Sequence, residues 1–163
     1  LLSYSRINSR KNSYQNIELQ PFLSEVLADL EFRINKSGGR LEVGPLPKVH
    51  ADPFQVRQLF QNLISNALKF HSPEAVPLVK ISSRELPDGL CEITVEDNGI
   101  GFEEKYLGQI FKPFTRLNPH SVFEGSGIGL AICRKIVQQH GGEITARSQP
   151  ELGSRFIFTL PLA

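Results

Sequence analysis

The sequence has 163 residues, with 18 Lys and Arg against 17 Asp and Glu for a net charge of +1, and is 40% hydrophobic and 21% charged. That balance is ordinary for a soluble globular chain with a core of its own. It gives no electrostatic reason to expect nucleic acid or an anionic membrane as partner. No apolar run approaches the ~18 residues of a membrane-spanning helix, and the start has no signal-peptide pattern, so the segment reads as cytoplasmic with no membrane contact of its own.

The chain contains no methionine, which reads as part of a longer polypeptide. Cys91 and Cys133 sit among apolar neighbours, with no further Cys or His at ligand spacing, and read as buried structural thiols in a reducing compartment.

Residues 1 to about 18, "LLSYSRINSRKNSYQNIE", are mostly polar and read as the end of an upstream helix running into a linker. From Pro21 the pattern turns periodic: Leu23, Val26, Leu27 and Leu30 share one helical face, and "KSGG" ends the run. "RLEVG" is a short strand. The strongest helix is "ADPFQVRQLFQNLISNALKF", with Asp52 as N-cap, Pro53 as first residue and an apolar face of Val56, Leu59, Phe60, Leu63, Ile64, Ala67 and Leu68.

"LVKISSR" and "CEITVED" form a hairpin across "ELPDGL". A short helix around "EKYLGQIF" leads into a dozen residues without periodicity, a length of irregular chain that is usually functional or mobile. A helix then runs from about Gly127 to His140, stopped by Gly141-Gly142, and "EITARS" and "RFIFTLP" close the chain as strands. Mixed helices and strands with antiparallel hairpins predict an α/β two-layer sandwich, a mostly antiparallel mixed sheet covered on one face by helices. Alternating βαβ units are missing, so a doubly wound parallel sheet is not expected.

Three features carry chemistry. In "FEGSGIGLAI", Gly125, Gly127 and Gly129 alternate directly before a helix. Neither the P-loop nor the dinucleotide fingerprint fits: no Lys follows in place, and Ile132 stands where a third glycine belongs. Bare main-chain amides at a helix start still favour an anion; a flexible loop entering a helix has the same pattern.

In "ITVEDNGIG", Asp97 continues the inward parity of Cys91, Ile93 and Val95, and an inward carboxylate needs a donor. A turn in which Asp97 bonds its own loop amides also fits. On the strong helix Gln58, Asn62, Asn66 and Lys69 form one polar stripe, fit either for a Mg²⁺ shell beside phosphates or for solvent. Arg116 could reach an anion from the irregular segment, and a plain surface arginine fits equally. His50, His71, His120 and His140 have no partners at metal or triad spacing and read as surface or capping residues.

In this order the motifs resemble the catalytic and ATP-binding domain of sensor histidine kinases, in the GHKL (Bergerat-fold) ATPase superfamily. "NLISNALKF" is similar to the N box, "DNGIG" to the G1 box, "FKPF" to the F box, "GSGIGLAI" to the G2 box and "GSRFIFTLP" to the G3 segment. "LLSYSRI" resembles the end of the dimerisation and phosphoacceptor domain, which would place that domain's end and the linker in residues 1–18 and the ATP-binding domain in 19–163.

The resemblance implies ATP and Mg²⁺ as cofactors. It gives Asp97 the adenine amine, Asn66 the metal, with Asn62 in support, Lys69 the phosphates and Phe70 the wall of the site. Gly99, Ile100 and Gly101 would follow Asp97 around the base. Residues 112–126 would be a lid, and Gly125, Ser126, Gly127, Ile128, Gly129 and Leu130 would meet the triphosphate. Asn62, Lys69 and Arg116 would be the catalytic set.

In hydrolysing members a Glu stands at the place of Asn62, and an amide cannot take a proton from water, so transfer is expected over hydrolysis. Gln58, where similar kinases often carry Glu, is a small departure. The implied partners are the chain's own dimerisation domain, in a homodimer, and a response-regulator receiver domain. No acceptor His-Glu or His-Asp motif occurs in these residues, so self-phosphorylation on such a histidine is not expected of them alone. The rival readings are another GHKL enzyme, such as a serine kinase or hydrolysing ATPase, and a kinase-like docking module that has lost ATP.

Overall fold

The computed structural model describes residues 13–113 and 129–163. The elements are β1 (Gln15–Glu18), α1 (Leu19–Asp29), α2 (Glu31–Ser37), β2 (Arg40–Val43), β3 (Lys48–Ala51), α3 (Pro53–Lys69), β4 (Leu78–Glu85) and β5 (Leu90–Asp97). A 3₁₀ turn (Glu104–Tyr106), α4 (Leu107–Ile110), α5 (Gly129–Gln139), β6 (Ile144–Gln149) and β7 (Gly153–Pro161) complete the described chain. A five-stranded sheet runs in the order β2-β4-β5-β7-β6. Only the β2–β4 pair in it is parallel; the three other pairs are antiparallel.

One face of this sheet is apolar. Val79 and Ile81 of β4, Cys91, Ile93 and Val95 of β5, and Phe156, Phe158 and Leu160 of β7 are buried. Leu59, Phe60, Leu63 and Ile64 of α3 and Ile136 and Val137 of α5 belong to the same core. Phe60 and Phe158 meet edge to face at 5.8 Å, so the strongest helix of the sequence docks on the middle of the sheet. The opposite face keeps Lys80, Arg84, Glu92 and Glu96, so one helical layer suffices and the two-layer sandwich stands.

The N-cap of α3 forms as expected: Asp52 Oδ1 accepts from the main-chain N–H of Phe54 at 3.0 Å and of Gln55 at 3.4 Å. The hairpin turn closes by Leu86 N–H donating to Leu90 O at 2.8 Å.

Two local readings change and a third is decided. Residues 15–18 are not linker but a strand, paired antiparallel to β3 from Gln15↔Ala51 to Glu18↔Lys48, and β3 in turn bridges to Leu162. The periodic run does not begin at Pro21: α1 starts at Leu19, breaks at Leu30 and resumes as α2, which ends at Gly38 with φ +69°. Of the two readings for His140, surface or capping, the capping one holds: it is 5% exposed, at the end of α5, with Nδ1 2.7 Å from the Ile136 carbonyl. Cys91 and Cys133 are free and buried, and burial pushes their thiols up to about 11 and about 12.

Candidate functional site: where three segments meet

Asp97 ends β5 on the buried face, opposite Ser154 of β7. Its Oδ1 accepts the main-chain N–H of Gly99 at 2.8 Å, and the nearby main-chain N–H of Ser154 also favours the charged form. The loop-amide bond and the inward carboxylate are thus both realised. Burial nevertheless dominates and raises the carboxyl from 3.8 to about 6. A carboxylate held in a site that penalises its charge still has acceptor capacity for an N–H donor.

The turn after Asp97 is pressed against the end of α3. Ile100 N–H donates to the carbonyl of Phe70 at 2.9 Å. A methyl at Gly99 would overlap that same carbonyl and lie 2.8 Å from Asp97 Oδ1. Gly101, with φ +65°, has no room for a side chain against the carbonyl of Gln149. These glycines are therefore required by the chain's own backbone, whatever else approaches.

On α3, the stripe Gln58, Asn62, Asn66 and Lys69 is half-buried. Asn62 Nδ2 donates to the carbonyl of Gly129 at 3.3 Å, which ties the first turn of α5 to α3. Lys69 Nζ lies 4.7 Å from the ring centroid of Phe70. Leu130 packs half-buried against the core.

The structure therefore brings together Asp97, Gly99, Ile100 and Phe70 at one junction and Asn62 and Gly129 at another, both on α3. Arg116, Gly125, Ser126, Gly127 and Ile128 lie outside the described residues. Among the described residues no group of three or more His, Cys, Asp or Glu could hold a metal, so a Mg²⁺ ion here would depend on amide oxygen with phosphate and water.

Sequence reasoning missed three supporting side chains. Asn98 Oδ1 accepts from Leu78 N–H at 2.8 Å while its Nδ2 donates to Val76 O at 3.0 Å, pinning the loop into β4. Ser154 is buried beside Asp97, and Ser148 Oγ lies 2.9 Å from its hydroxyl. Asn98 was legible as a turn residue; the two serines became neighbours only through strand register. A groove of about 710 Å³ at this end of the sheet is lined by Glu96, Glu103, Glu104, Arg147, Leu152 and Arg155, with Asp97 and Ser154 at its wall.

A profile of the family described as "Histidine kinase-, DNA gyrase B-, and HSP90-like ATPase" matches residues 51–163. The phytochrome-like protein Cph1 of Synechocystis sp. is 38% identical over 162 residues, covering 99% of this chain and 21% of that protein. The adaptive-response sensory kinase SasA of Synechococcus elongatus is 36% identical over 160 residues, 96% of this chain and 40% of that protein. The chain thus spans about a fifth to two fifths of these relatives.

Among solved structures, full-length ShkA in complex with AMPPNP superposes with a TM-score of 0.84 at 26% identity, over 99% of this chain and 34% of that one. The nucleotide-free catalytic domain of the histidine kinase ThkA gives 0.77 at 27% identity, over 92% of this chain and 98% of that one. The chain belongs to the histidine kinase-, DNA gyrase B- and HSP90-like ATPase family, as an ATPase domain of the sensor-kinase type.

Proposed function

We propose that this domain holds ATP with Mg²⁺ and presents the γ-phosphate to a histidine of a dimerisation domain, for later transfer to a response-regulator aspartate. The observation that carries the reading is Asp97, a half-buried carboxylate at a strand end, fixed by the main-chain amide of Gly99 and still able to accept. Adenine's exocyclic amine is the donor that suits it. The superposition on an AMPPNP-bound kinase supports the same reading.

In this reading Asn66 offers an amide oxygen to the metal and Lys69 offers charge to phosphate. Bound Mg²⁺ would neutralise charge on the phosphates. Asn62 acts through α5, since its amide holds the Gly129 carbonyl. It cannot serve as a base, which favours transfer over hydrolysis. Arg116 and the glycines from Gly125 to Gly129 complete the phosphate side in the same proposal. The dimerisation domain would enter through residues 1–12, and the whole would act in the cytoplasm as a homodimer.

The test is calorimetric titration of this chain with a non-hydrolysable ATP analogue, with and without Mg²⁺. Binding is expected to strengthen with Mg²⁺, to lose that gain in Asn66→Ala, and to vanish in Asp97→Asn. Absence of binding by folded protein would overturn the reading.

A further inference from the structure

We propose that Ser148 is a positioning residue for base selection: it sets the direction of the Ser154 hydroxyl, so that Ser154 and Asp97 offer two acceptors side by side to the amine of adenine. The inference rests on the proposed role of Asp97.

Register places the three residues in one row, Asp97 opposite Ser154 across β5 and β7, and Ser154 opposite Ser148 across β7 and β6. Directly opposed residues share a face of the sheet. The main-chain N–H of Ser154 lies near enough to favour the charged form of Asp97.

A serine hydroxyl has one proton and two lone-pair sites. Ser148 uses all three. It accepts the main-chain N–H of Phe102 at 2.8 Å, donates to the carbonyl of Gly153 at 2.9 Å and lies 2.9 Å from Ser154 Oγ. A carbonyl only accepts, so the Ser148 proton is committed to Gly153. In the hydroxyl pair Ser154 must then be the donor. Its two lone pairs are left as acceptors on the same face of the sheet as the carboxylate. Two adjacent acceptors suit an N–H donor and oppose a carbonyl oxygen. Adenine carries an amine at C6, whereas hypoxanthine carries oxygen there.

Without the Ser148 hydroxyl, the Ser154 proton is released and can turn to meet a carbonyl oxygen. The experiment titrates the chain with ADP and with IDP, in the wild type and in Ser148→Ala, Ser148→Thr, Ser154→Ala and Asp97→Asn. The wild type is expected to prefer ADP. Ser148→Ala should shrink that preference about fivefold to tenfold, the worth of one hydrogen bond, by weakening ADP and strengthening IDP. Ser148→Thr, which keeps the hydroxyl, should retain the preference.

Ser154→Ala should weaken ADP without any gain for IDP, and it decides the matter if Ser148→Ala does not fold. Equal loss of both nucleotides in Ser148→Ala would reduce Ser148 to a structural node and overturn the inference alone. An IDP gain in Ser154→Ala would also overturn it. A wild type that binds neither nucleotide, or binds ADP undiminished by Asp97→Asn, would overturn the adenine reading and the inference with it.

Discussion

The main-chain N–H of Asp52 donates to Nε2 of His140 at 3.1 Å, fastening the start of α3 to the end of α5 across 88 positions of sequence. The other ring nitrogen, Nδ1, is 2.7 Å from the carbonyl of Ile136. A carbonyl only accepts, so Nδ1 carries the proton and the neutral imidazole satisfies both contacts. Tyr14 packs edge-on against the ring at 5.1 Å and donates its hydroxyl to Gln139 O at 2.9 Å. The residue leading into β1 and both long helices thus meet at this histidine.

Protonating His140 would turn Nε2 into a donor facing the Asp52 N–H. Burial lowers its pKa below the usual 6.5, opposed by the Ile136 bond and the Asp52 charge. The unfolded chain therefore binds more protons just below 6.5, and stability rises with pH in that window. The contribution is complete above about 6.5 and is lost as pH falls through the folded value. Thermal melts between pH 7.5 and 5 should show this loss in the wild type and a flatter profile in His140→Gln. The substitution should itself cost about 1–3 kcal/mol at pH 7.5, because a flexible amide replaces the rigid ring that bridges the Asp52 N–H and the Ile136 carbonyl and packs on Tyr14.

Asp97 works in the opposite direction. Its folded pKa, about 6, lies above the ordinary 3.8, so the folded state binds more protons between those values. Its contribution is therefore most favourable below about 3.8 and becomes a penalty as pH rises past about 6. Nucleotide-free Asp97→Asn should be more stable than the wild type at pH 7.5, by about 1–3 kcal/mol in urea denaturation, while nucleotide binding is lost. A less stable Asp97→Asn would contradict the assignment of burial as the dominant influence on this carboxyl.

The glycines divide by what surrounds them. A methyl at Gly153, where φ is +110°, would overlap the Asp97 carbonyl and lie 2.9 Å from its carbon. At Gly99 it would overlap the Phe70 carbonyl. Backbone cannot give way cheaply, so Gly153→Ala and Gly99→Ala should each destabilise by about 3 kcal/mol or more. Gly108 has nothing within 4 Å and lies in α4, so Gly108→Ala should be neutral or stabilise by up to about 1 kcal/mol. Urea midpoints of the three variants, measured together, check the contrast.

Legibility followed sequence range. α3 was readable because its N-cap, its proline and its apolar face lie within 18 consecutive residues, Asp52 to Lys69. The β4–β5 hairpin was readable for the same reason: the turn and both strands are contiguous. β1 and β3 were not, because each is four residues long and neither has a periodic signal without the other. The break at Leu30 escaped notice because α1 and α2 together continue one helical pattern. The sequence left His140 open between surface and capping because its partners, Asp52 and Tyr14, lie far away in the chain.

The sequence by itself determined the family, the two-layer architecture and the inward parity of Asp97, since ordered motifs and strand alternation are local properties. The tertiary structure alone decided what holds that carboxylate in place. Strand register put Ser154 and Ser148 in its row, the end of α3 closed on Gly99, and Asn62 found the Gly129 carbonyl 67 positions away. Such contacts depend on which segments the hydrophobic core draws together, and a hydroxyl or amide bears no local sign of a partner that distant.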